Sequence, residues 1–144
     1  MLKNNRNISV LIGNDILPYS QNDNQNLALL DTLQEIHNNE GQSIFLLTDY
    51  TYGTFQKYRY NLQRLGYSFP ITIMQQGFNA SSREDWNSIT ESNDLTRSIV
   101  ITKDADIIAN AKNNMIPTIN ADNRSAHEVA GDLKATYQHL AFNQ

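Results

Sequence analysis

Four carboxylates and one hydroxyl stand where an α/β enzyme keeps its chemistry: Asp15, Asp49, Asp104 and Asp106, with Thr48. Each follows a short apolar run that reads as a β-strand. Gathered at strand ends, such groups suit hydrolysis or phosphoryl transfer. Carboxylates hold a hard divalent cation, one can attack phosphorus, and another can move a proton. The spacing limits this chemistry. The stretch LIGNDILPYS, residues 11–20, offers Asp15 among Gly13, Asn14, Ile16 and Leu17, with no second carboxylate.

The elements that would position these groups follow from hydrophobic period. Ile8–Ile12, Ser43–Thr48, Ile71–Met74, Ser98–Thr102 and Ile116–Ile119 read as strands, apolar nearly throughout, as strands covered on both faces must be. Between the first two, Leu29, Leu30, Leu33 and Ile36 recur on one helical face. Phe55, Tyr58, Leu62 and Leu65 form the inner stripe of a second helix that Gly66 ends. Ser81-x-x-Glu84 resembles a capping box opening a third helix through Trp86 and Ile89. Ile107, Ile108 and Ala111 mark a fourth. Ser125-x-x-Glu128 caps a fifth that carries Val129, Leu133 and Tyr137.

The order is therefore βαβαβαβαβα. Right-handed crossovers convert it into a three-layer, Rossmann-like sandwich: a parallel five-stranded sheet with helices on both faces. Residues 1–144 are expected to form one domain, with no cap domain inserted. In such sheets ligands bind beyond the carboxyl ends of the strands, where the five groups above fall.

Composition narrows the partners. The chain has 144 residues, no Cys and a net charge of −4. Disulfides and thiolate-held zinc are excluded, and broad nucleic-acid binding is disfavoured. The N-terminus lacks the apolar core of a signal peptide and no run is long enough to span a membrane, so the expected location is cytoplasmic. Charge is unevenly placed. Residues 50–83 hold Lys57, Arg59, Arg64 and Arg83 and no acid, whereas the stretches on either side are each acidic.

With these elements placed, the chain resembles the haloacid dehalogenase (HAD) superfamily of phosphohydrolases from Ile8 to Ile119. IFLLTDYTYGTFQKYRYNLQRLGY is similar to the family's second motif and puts Thr48, with Asp49 beside it, at the phosphate-binding position. IVITKDADIIANAKNNMIPTI is similar to the fourth-motif region. Asp106-Ile107 matches its Asp-Ile, Asn114-Met115 its Gly-Met, and Thr102 falls where an acid belongs. The first motif, Asp-x-Asp-Gly-Thr, is broken. One register sets Ile12 at the nucleophile and Asn14 at the acid. Another sets Gly13 at the nucleophile and Asp15 at the acid. A third makes Asp15 the nucleophile and Leu17 the acid. None supplies both carboxylates. For the third-motif Lys the nearest residues are Arg83 and Lys103.

The resemblance thus implies a capless domain that has lost phosphohydrolase chemistry and serves as a binding or interaction protein, with Asp15, Asn14 and Asp106 as remnants of the site. A divergent HAD-type phosphatase is the alternative. It would require Mg²⁺, with Asp106 and Asp104 as the nearest ligands. A PIN-like nuclease is a further one, since ITKDADII resembles that family's later acidic motif and Asp15, Asp49, Asp104 and Asp106 could gather a metal. Plainer roles stand beside these. Thr48 equally suits a strand end, Asp104 and Asp106 equally suit a helix start, and His37, His127 and His139 have no ligand spacing. Beyond the strand ends, the second helix leaves Lys57, Arg59, Tyr60 and Arg64 outward. These are residue types suited to meeting an acidic patch on a protein partner or on a second copy of the chain. A solvated helix would carry the same residues.

Overall fold

The computed structural model describes residues 8–13, 16, 27–40, 44–47, 52–73, 79–92, 95 and 97–142. The elements alternate in chain order: β1 (Val10–Gly13), α1 (Leu27–Glu40), β2 (Ile44–Leu47), α2 (Tyr52–Arg64), β3 (Ile71–Ile73), α3 (Arg83–Ser92), β4 (Ile99–Thr102), α4 (Ala105–Asn113), β5 (Thr118–Asn120) and α5 (Ala126–Phe142). The sheet has the order β3-β2-β1-β4-β5, and every pairing is parallel. The chain steps outward from β1 to β3, then crosses back over β1 to β4 and β5. With right-handed crossovers, that reversal puts α1 and α2 on one face and α3 and α4 on the other.

The core shows this division. Side chains alternate along a strand, so Val10 and Ile12 of β1 share a cluster with Ile99 and Ile101 of β4, packed by Leu29 and Leu33 of α1, Tyr58 and Leu62 of α2, and Val129 and Leu133 of α5. Leu11 and Val100 point the other way, to Trp86 and Ile89 of α3 and Ile107 and Ala111 of α4. α5 returns from β5 to pack along α1. Its C-terminal turn is tied down by Arg97, whose Nη2 donates to the Leu140 carbonyl at 2.8 Å. A cation there satisfies an orphan acceptor and faces the negative end of the helix dipole.

Helix ends follow local chemistry. Gly66 terminates α2 in the left-handed region, φ 95°, with Gly66 N–H donating to Gln63 O and Tyr67 N–H to Leu62 O. Ser125 and Glu128 form the expected reciprocal box at the start of α5, at 3.1 and 2.9 Å, and the backbone and hydroxyl of Ser125 hold the Glu128 carboxyl below its usual pKa. The expected box Ser81–Glu84 is displaced by one residue. Ser82 Oγ accepts from Asp85 N–H at 3.2 Å, while Asp85 reaches back to Asn79 N–H at 2.7 Å. The shorter carboxylate thus bridges to the turn before the cap, and Glu84 is left exposed. At the end of α4, Met115 takes a left-handed φ of 61°, which favours glycine.

The connection from α2 to β3 is clamped onto α1. Gln34 Oε1 accepts from the backbone of Ser68 and Phe69 at 2.7 and 3.2 Å, and Tyr67 donates to Asp31 at 2.7 Å. Burial and the Asp31 carboxylate together raise the Tyr67 phenol well above its usual pKa. The phenol therefore stays protonated and the clamp keeps its donor.

Candidate functional site

The order reversal between β1 and β4 makes a topological switch point, where open parallel sheets form a crevice at the strands' carboxyl ends. A cavity of about 320 Å³ lies there. Ile16 follows β1, Lys103 follows β4 and Ala121 follows β5, while Leu29 and Val129 supply the helix walls. Arg124 and Ser125 bring the start of α5 to its edge. No carboxylate lines this cavity among the described residues. The ionisable side chains of its described lining are Lys103 and Arg124, and Arg124 is ion-paired with Asp132, which raises its pKa.

Asn14, Asp15, Thr48 and Asp49 lie outside the described residues. Asp104 is the N-cap of α4: its Oδ1 accepts from Asp106 N–H at 2.8 Å and Ile107 N–H at 3.2 Å. Its own N–H donates to Thr102 Oγ1 at 3.1 Å. The Thr102 hydroxyl and the Asp104 carboxylate thus shape the turn from β4 into α4. Asp106 is exposed in the first turn of α4, where the helix dipole favours it. Among the described residues, no three His, Asp or Glu side chains converge as a metal-holding group. His127 and His139 are exposed and His37 is half-buried. Arg83 is exposed at the first position of α3. Lys103 reaches the crevice, although its place after β4 is the only sequence signal for it.

If Ile12 and Thr102 stood for two metal-binding carboxylates, they would face one another across β1 and β4. Instead Ile12 pairs with Ile101. Both lie in the α1–α5 side of the core, and Ile12 is fully buried. Alternation turns Thr102 away from Ile101. One step further along the same register, Gly13 is level with Thr102. Ile12 and Thr102 are therefore neither level nor on one face of the sheet.

Away from the crevice, α2 buries Tyr58 and Leu62, half-buries Leu65, and exposes Lys57, Tyr60 and Arg64. Arg64 Nη1 donates to the Tyr60 hydroxyl at 3.0 Å, with its guanidinium 5.5 Å from the Tyr60 ring centre. Arg59 differs from the outward position expected of it. It is half-buried and donates to Gln56 Oε1 at 3.3 Å. Among the described residues, no helix is long and apolar enough to cross a membrane. No protein-family model matches the chain, and no characterised protein matches it at a significant level of similarity.

Proposed function

We propose that this chain is a capless HAD-like domain that has lost phosphohydrolase chemistry and acts as a binding protein, with α2 as its interaction surface. The observation that carries this reading is the switch-point cavity. Its described lining holds Lys103 and Arg124 but no carboxylate. Outside that lining, at the same strand ends, Gly13 and Thr102 stand level with one another, where a phosphohydrolase of this type needs acids. Glycine offers no nucleophile, so no aspartyl-phosphate can form there. The Thr102 hydroxyl is engaged by the Asp104 backbone, and Asp104 by the α4 N-terminus. Mg²⁺ demands near-octahedral oxygen ligation with carboxylate charge, and the described residues at this site do not fit it.

The expected result with p-nitrophenyl phosphate and Mg²⁺ is no turnover above buffer. The wild type is assayed beside Asp15→Asn. Turnover by the wild type that disappears in Asp15→Asn would show a working phosphatase and overturn the proposal.

A further inference from the structure

Exposed charges of opposite sign recur at equal spacing on α2 and α3, with Arg83, directly before Glu84, the exposed cation of α3. On α2, Lys57, Tyr60 and Arg64 are exposed at positions i, i+3 and i+7. On α3, Glu84, Asn87, Ser88 and Glu91 are exposed at i, i+3, i+4 and i+7. Seven residues of helix rise about 10 Å, so the two cations stand as far apart along their axis as the two carboxylates do along theirs. Neither Glu84 nor Glu91 is in an ion pair among the described residues. The stripes are also on opposite sides of the sheet. Tyr58 and Leu62 anchor α2 in the cluster that holds α1, whereas Trp86 and Ile89 anchor α3 in the other.

We infer that the α2 stripe of one copy docks on the α3 stripe of a second copy, head to tail. This rests on the reading of α2 as the binding surface and names its partner. Charge selects the geometry. A symmetric dimer through α2 alone would set cations against cations, and one through α3 alone would set carboxylates against carboxylates. Of these three pairings only α2–α3 is complementary, and it uses a different surface on each copy. Such a heterologous contact leaves one stripe of each kind open at the ends of the assembly, so it propagates into a chain or closes into a ring. Tyr60, 59% exposed and carrying Arg64 over its ring, supplies the contact's apolar and cation–π component.

The test is sedimentation velocity at tens of micromolar protein in ~20 mM and ~500 mM salt, which spans weak to strong screening. Wild type is expected to associate at low salt and to weaken roughly tenfold or more at high salt. The variants Lys57→Glu/Arg64→Glu and Glu84→Lys/Glu91→Lys each carry like charges on both stripes, and each alone is expected to be monomeric. Mixed in equal amounts they present opposite stripes again, and association is expected to return. The changed side chains are exposed, so the variants are expected to keep the wild-type circular dichroism. A wild type that is monomeric at both salts overturns the inference, as does association that neither reversal weakens. Titration with poly-L-glutamate separates the two levels of the argument. A monomeric wild type that binds it through Lys57 and Arg64 keeps α2 as a binding surface and removes only the second copy as partner. A monomeric wild type that ignores it removes both.

Discussion

Trp86→Ala is expected to lower the unfolding free energy by about 3–5 kcal/mol, the range for deleting a large buried aromatic side chain. Trp86 is fully buried, and it is the largest fully buried side chain among the described residues. It fills the α3–α4 side of the sheet between Leu11, Val100 and Ile89. Its indole Nε1 also donates to the Ala80 carbonyl at 2.6 Å. Asn110 Nδ2 reaches the same carbonyl, but at 3.4 Å. Truncation therefore opens a cavity and leaves a buried acceptor with one long partner. Trp86→Phe, which retains a ring but not the donor, is expected to cost less, about 1–3 kcal/mol. The chain has one Trp, so urea unfolding is followed by circular dichroism rather than by indole fluorescence. A cost below about 1 kcal/mol for the alanine variant would mean that Trp86 is not the anchor of α3.

Ile12→Asp is expected to be comparably damaging, by about 3–5 kcal/mol at neutral pH, because it leaves an uncompensated charge in a closed core. Ile12 has no exposed surface and lies on β1, the central strand, between β2 and β4. The new carboxyl prefers its neutral form there, so its folded pKa rises above the unfolded value of about 3.9. The folded state then holds the proton that the unfolded state releases. Stability falls as pH rises from about 4 up to the raised folded pKa, and levels off above it. Urea midpoints measured between mildly acidic and neutral pH should therefore drop for Ile12→Asp relative to wild type. A variant as stable as wild type at neutral pH would place residue 12 at an open strand end and revive the alignment that begins there.

The elements were legible because each carried its own signal. The strands are short and apolar nearly throughout, which marks them as covered on both faces. Leu29, Leu30, Leu33 and Ile36 trace the buried side of α1, and all four are buried. Gly66 ends α2 in the left-handed conformation that only its missing Cβ makes inexpensive. What failed was information held between segments. Whether Ile12 or Gly13 is level with Thr102 depends on how β1 and β4 slide against each other, and neither strand records that alone. The acidic stripe on α3 was hidden for a related reason. Taking Glu84 as a capping residue assigned its carboxylate to the backbone. Once Ser82 and Asp85 perform that task, Glu84 falls on the exposed face in line with Glu91. Lys103 and Arg124 were separate loop residues in the sequence, and it is the adjacency of β4 and β5 that brings both to one cavity.

The proposed function requires that the strand ends lack the acids to hold a catalytic cation. Calorimetric titration of the folded wild type with Mg²⁺ tests it most directly, beside Asp15→Asn and the double variant Gly13→Asp/Thr102→Asp. Gly13 and Thr102 are buried, so the double variant is titrated only where its circular dichroism matches that of wild type; the predicted result is no saturable heat for wild type or Asp15→Asn, and a Mg²⁺-binding isotherm in the folded double variant. Stoichiometric Mg²⁺ binding by the wild type that Asp15→Asn removes would contradict the account and show a metal site still in place.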